Sequence, residues 1–189
     1  MTPSAKTICA AAVIIPPQEA WRPIQAIRAR YDRNFARWMP HITLAYPFRP
    51  KEEFETLAPQ FEKACAQVKP FEIELAEFRH FDHGRDSFTL WLAVNPTEPV
   101  TALQAALMPV TPDCNDVALF ATGFTPHLSV GQARGEPNMT KLRETLQSNW
   151  KPLRFQVPEF CLIWRGETRP DDTFRVGCKV PLGKTISEF

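Results

Sequence analysis

The 189-residue chain is short of several things that would assign it to a class at once. Its cysteines, at 9, 65, 114, 161 and 178, are odd in number, widely spaced and without a Cys-x-x-Cys pair. That argues against a disulfide framework or a zinc ribbon and fits reduced thiols in a cytoplasmic protein. Charge of one sign is missing too: 22 basic residues against 21 acidic ones leave a formal net charge of +1. Such a balance provides no broad electrostatic grip on long nucleic acid, while leaving an RNA end or a small nucleotide compatible. No hydrophobic run is long enough to span a bilayer, so no membrane association is expected. Glycine is scarce at seven residues, whereas proline is plentiful at nineteen.

Apolar residues at 44% and charged residues at 23% are ordinary globular values. The length favours one unit, residues 1–189, over two domains. Thr7 to Ile15 follows a lysine and contains three alanines, a composition that slightly resembles the apolar region of a signal peptide. Two prolines end the run abruptly and an amphipathic segment follows, so it is read as a strand.

Two of the four histidines share a setting: Pro40-His41-Ile42-Thr43-Leu44 and Pro126-His127-Leu128-Ser129-Val130. In an extended strand, side chains alternate between faces. His41 and Thr43 therefore project together, as do His127 and Ser129, and the intervening aliphatics enter a core. An imidazole titrates near neutrality, and a hydroxyl two residues on can donate to an oxyanion. Two such pairs would flank a phosphate.

Around these motifs the pattern repeats. A strand at Ile8 to Ile15 precedes a helix at Glu19 to Tyr31 carrying Trp21, Ile24, Ile27 and Tyr31 at helical spacing. The first histidine strand, His41 to Tyr46, is followed by a helix at Glu52 to Val68. Phe71 to Phe81 and Phe88 to Val94 form a hairpin across His83-Gly84-Arg85-Asp86. The second half offers a helix around Val100 to Met108, the strand of His127, a helix from Pro137 to Trp150, and further strands. Lys69-Pro70-Phe71 and Lys151-Pro152-Leu153 correspond, as do Leu75-Ala76-Glu77-Phe78 and Val157-Pro158-Glu159-Phe160. Two related lobes about a pseudo-two-fold axis would place both histidine pairs in one cleft.

Two His-x-[Thr/Ser]-x motifs 86 residues apart make the chain resemble the 2H phosphoesterase superfamily, which includes RNA 2′,3′-cyclic phosphodiesterases first described as 2′-5′ RNA ligases. The resemblance covers nearly the whole chain. Leu90-Trp91-Leu92 also resembles a strand of the RNA ligase-like branch. The resemblance implies an α+β bilobal fold with two antiparallel sheets facing a central cleft and helices outside. It implies His41 and His127 as general acid and base, without assigning which is which, and Thr43 and Ser129 as donors to the non-bridging phosphate oxygens. The implied reaction opens a 2′,3′-cyclic phosphate or a 2′-5′ phosphodiester at an RNA terminus or small cyclic nucleotide, with no metal and no cofactor. RNA end ligation through the same site, or a weakly catalytic nucleotide-binding module, are the alternatives. The chain is expected to act as a monomer.

Other residues have plainer readings. Tyr46, Trp91 and Trp164 could each stack on a base, with core packing as the competing role, and the same holds for Phe48 and Phe124. Arg165, Arg169 and Arg175 could approach a phosphate, although solvated arginines are the default. His80, Asp82, His83 and Asp86 hold potential metal ligands, but Asp and His favour turns for backbone reasons.

Overall fold

The computed structural model describes residues 5–119, 123–166 and 172–183. Eight strands form two four-stranded antiparallel sheets. In chain order the strands are β1 (Ala10–Ile14), β2 (Ile42–Ala45), β3 (Phe71–Asp82), β4 (Ser87–Asn95), β5 (His127–Arg134), β6 (Leu153–Val157), β7 (Glu159–Trp164) and β8 (Arg175–Pro181). The helices are α1 (Gln18–Tyr31), α2 (Phe54–Ala64), α3 (Glu98–Leu107) and α4 (Glu136–Asn149). One sheet runs β2-β1-β7-β8 and the other β5-β4-β3-β6, so each histidine strand is an edge strand beside a central one.

The apolar run near the N-terminus is a strand because both its faces are covered. Ala10, Ala12 and Ile14 enter the main core, while Ala11 and Val13 join Cys161, Ile163 and Phe174 in a smaller cluster. A strand buried on both faces has no polar positions to alternate, which accounts for its likeness to a secretory segment. Helix α1 starts one residue earlier than the pattern indicates, and its buried face is Ala20, Ile24, Ile27 and Arg28, leaving Tyr31 exposed. Helix α2 is shorter than expected. A 3-10 turn at Lys51–Glu53 precedes it, and the chain turns after Ala64 to enter β3. Among the described residues no helix is long and apolar enough to cross a membrane.

The internal duplication is visible in the pairing. Residues 71–82 form one strand in the first half, and residues 153–164 form β6 and β7 in the second. The register Phe71–Val157, Ile73–Phe155, Leu75–Leu153 maps onto itself when the halves exchange, since that exchange carries Phe71 to Leu153 and Ile73 to Phe155. A local pseudo-two-fold axis therefore passes through the Ile73–Phe155 pair. Each twelve-residue stretch is interrupted at the same place. In the first half the register of β3 against β4 shifts between Leu75 and Phe78, and the Gln147 side chain accepts from the Phe78 N–H at 2.8 Å and donates to the Ala76 carbonyl at 3.0 Å. In the second half Pro158, which has no N–H to pair, separates β6 from β7.

Candidate active site

Strands β2 and β5 lie near each other across the gap between the sheets. Their alternation is as the motif requires. Ile42, Leu44, Leu128 and Val130 are fully buried, while His41, Thr43, His127 and Ser129 are half-buried. Thr43, His127 and Ser129 line both lobes of a continuous cleft, one of about 460 Å3 and the other of about 330 Å3. His41 lines the smaller lobe. The cleft closes at one corner where α1 crosses β5, and Gly131 is required there: a Cβ would fall 2.6 Å from the Cβ of Tyr31.

Both imidazoles are held alike. His41 Nδ1 lies 2.8 Å from the Met39 carbonyl, and His127 Nδ1 lies 2.8 Å from the Thr125 carbonyl, in each case two residues back across the proline. A carbonyl only accepts, so Nδ1 carries the proton of the neutral ring and Nε2 keeps the lone pair. Burial pushes the His41 imidazole down to about 4, partly offset by the Met39 carbonyl, with the charges of Arg28 and His127 lowering it further. His127 is also lowered, again chiefly by burial and against the pull of the Thr125 carbonyl. The charge of His127 thus bears on His41, and burial favours the neutral form of both rings at pH 7.

Aromatic walls fix the rings. Trp38 stacks on His41 with centroids 4.6 Å apart, and on Phe174 at 3.7 Å. His127 meets Phe81 edge-on at 4.9 Å and Trp91 at 5.6 Å. Behind His41 lies a polar clamp. The buried Arg28 donates from Nε to Asp32 Oδ2 at 2.8 Å and from Nη2 to the Trp38 carbonyl at 2.9 Å. Asp32 Oδ1 accepts from the Asn34 N–H and from Gln132 Nε2 on β5, at 2.9 and 3.2 Å. Gln132 Oε1 in turn accepts from the Arg33 N–H at 3.0 Å. This chain of bonds joins α1, the loop that carries His41, and the strand that carries His127.

The aromatic residues singled out in the sequence separate in the structure. Tyr46 lines both lobes, with its hydroxyl donating to the Ile8 carbonyl at 3.1 Å. Trp91 is 5% exposed and stacked on Phe81 at 4.7 Å, a floor beneath His127 with no free face for a base. Trp164 lies on the other face of its sheet, beneath Lys51 and Arg175, so neither tryptophan is among the residues lining the cleft. Phe124 lines the larger lobe, and Phe48 is fully buried in the core. Arg165 approaches Tyr46 and Phe174, whereas Arg175 pairs with Asp172 away from the cleft. Arg169 falls outside the described residues.

In the hairpin turn Asp82 accepts from the Gly84 N–H, Asp86 from the Glu136 N–H, and His83 bonds Thr89. No group of three potential metal ligands occurs among the described residues. Sequence reasoning missed Trp38, Phe81, Arg28, Asp32 and Gln132. The available signal was an arginine on the apolar stripe of α1 with an aspartate four residues later.

Two duplicated lobes, each bringing a carbonyl-anchored imidazole and a hydroxyl to a shared cleft, define a two-histidine α+β protein. The sequence model of the 2′-5′ RNA ligase superfamily matches residues 16–169, and the chain belongs to that family. A relative from Geobacillus kaustophilus, provisionally named a phosphoesterase, is 30% identical over 88% of this chain and 95% of its own length. A provisionally named phosphoesterase of Bacillus cereus is 24% identical over 87% and 95%. The fold is similar to that of Escherichia coli LigT complexed with phosphate, with a TM-score of 0.60 at 17% identity over 95% of this chain and 100% of LigT. LigT complexed with 3′-AMP gives 0.58 at 16% identity, with the same coverage.

Proposed function

We propose that the protein is a metal-independent phosphodiesterase that opens a 2′,3′-cyclic phosphate, or a 2′-5′ phosphodiester, at an RNA end or small nucleotide. Opening such an ester needs water deprotonated on one side of phosphorus and a ribose oxygen protonated on the other. His41 and His127 take these roles through Nε2, exchanging them with the direction of the reaction. Thr43 and Ser129 donate to the equatorial oxygens, where negative charge accumulates in the transition state. The observation that carries the reading is the matched pair of Nδ1-to-carbonyl bonds, which prepares both rings as bases facing one cleft. One ring must then gain a proton, and the negative charge of the bound phosphate favours that step. The phosphoesterase names of the relatives and the phosphate and 3′-AMP complexes of LigT support the same chemistry.

The test is incubation with each nucleoside 2′,3′-cyclic phosphate, and with a short RNA ending in one, in EDTA, followed by phosphorus NMR. Turnover that disappears in both His41→Ala and His127→Ala is the expected result, and the product's phosphate position identifies the leaving oxygen. Full turnover in either variant refutes the two-histidine mechanism. Tight mononucleotide binding without turnover makes the protein a binding module.

A further inference from the structure

The cleft is electrically lopsided. Its larger lobe is walled by Phe81, Phe124 and Val117, with Asp82 and the Lys6-paired Asp116 as the acidic residues on its lining. Its smaller lobe, beyond His41, is lined by Arg28, Arg33 and Arg37, with Asp32 as the one carboxylate. Arg28 already neutralises Asp32. Arg33 and Arg37 are exposed, and among the described residues neither makes an ion pair. The charge of Arg37 reaches Tyr46, which lies where the lobes meet.

The segment that presents these arginines is firmly built. The Arg33 N–H is held by Gln132 and the Asn34 N–H by Asp32. The N–H groups of Arg37 and Trp38 bond the Asn34 carbonyl, and the Arg37 carbonyl accepts from Phe174. A fixed backbone that sets two arginines without ion-pair partners on the lining of a cleft suits a phosphoryl group, which arginine meets with paired, charge-assisted hydrogen bonds. The scissile phosphate is not that group. It belongs at the junction of the lobes, where Thr43, His127 and Ser129 line both.

Building on the phosphodiesterase reading, we propose that Arg33 and Arg37 form a second phosphate subsite that selects ribonucleotides bearing a 5′-phosphoryl group in addition to the reacting one. The base enters the aromatic lobe, the reacting phosphate lies between the histidines, and the 5′-phosphate extends past His41. A nucleoside cyclic phosphate with a free 5′-hydroxyl leaves the subsite empty.

Titration calorimetry with adenosine 3′-monophosphate and adenosine 3′,5′-bisphosphate tests this without requiring turnover. The wild-type protein is expected to bind the bisphosphate about tenfold more tightly, the effect of roughly one good charge-assisted contact. In the Arg33→Ala/Arg37→Ala variant the preference falls below about twofold. A control, Arg22→Ala/Arg154→Ala, removes the same charge from exposed positions outside the cleft and retains the preference. Equal affinities in the wild type, a preference that survives in the cleft variant, or an equal loss in the control each overturn the subsite. A preserved preference in a protein that opens neither a cyclic phosphate nor a 2′-5′ phosphodiester keeps the subsite and removes the phosphodiesterase reading. Failure to bind either ligand overturns the subsite, and the turnover assay decides the phosphodiesterase reading separately.

Discussion

At the His41 end of the cleft the imidazole lies face to face with Trp38 and feels the buried Arg28; at the His127 end it meets the edge of Phe81 above a floor made by Trp91. The local device is the same at both ends, a proline and then an Nδ1 bonded to the carbonyl two residues back at 2.8 Å. Duplication has thus kept the tautomer, with the lone pair left on Nε2, while the surroundings have diverged into a cationic end and an apolar one. A symmetric pair of acid/base groups can serve a substrate that is itself asymmetric, with its orientation set by the walls.

The sharpest way to break this comparison is at the histidines. His41→Ala and His127→Ala should each lower kcat by about 10²–10⁴-fold, the worth of a positioned acid or base. Steady-state kinetics on a cyclic phosphate checks it, and a loss confined to one end would refute the two-histidine mechanism and the symmetry with it.

Removing Asp32 should disturb one end only. Asp32→Ala leaves the fully buried Arg28 guanidinium without its counter-charge, at a cost of about 3–5 kcal/mol of stability. Chemical denaturation measures the loss, and histidine NMR titration should show a greater change at His41 than at His127, because the clamp holds the Trp38 carbonyl beside the His41 loop.

The hydroxyls are the next test. Thr43→Ala and Ser129→Ala should each lower kcat by about 10²-fold with a smaller change in KM, since their donors act on charge that develops in the transition state. Comparable losses would extend the symmetry from the rings to the phosphate oxygens.

The smallest effect concerns pH. Both imidazoles sit below their usual value, His41 at about 4. Folding therefore favours the neutral rings: the stability they contribute is fully present above about pH 6.5 and is lost as pH falls toward 4. His41→Gln should reduce the loss in stability between pH 7 and 5 by on the order of 1 kcal/mol, allowing for the partial exposure of the ring, and melting curves at the two pH values check it. In kinetics, kcat/KM should peak on the acid side of 6.5, where one free-enzyme ring is protonated. The kcat optimum should lie at higher pH because the bound phosphate raises the ring that must donate.

Much of this architecture was legible because it is periodic. The alternation around His41 and His127, the turn at His83 to Asp86, and the helical stripes all follow from local geometry, and their boundaries moved by only a few residues except at the end of α2. The paired tetrapeptides around Leu75 and Val157 also marked the duplication. What was not legible depended on which face a long side chain took. Trp91 and Trp164 both lie on strands, yet one is the floor of the cleft and the other packs beneath Lys51 on the opposite face of its sheet. Arg28 and Asp32 take their place only where the Trp38 carbonyl and Gln132, 100 residues from Asp32, close around them.

By itself, then, the sequence determined the two imidazole–hydroxyl pairs, their strands and the repeat that brings them together, because a strand's period of two and a helix's of 3.6 are properties of neighbouring residues. Only the tertiary structure decided the depressed basicity of the histidines, the buried clamp behind His41 and the unequal walls of the cleft. Desolvation and charge depend on what lies within a few ångströms in space, and those neighbours come from segments distant along the chain.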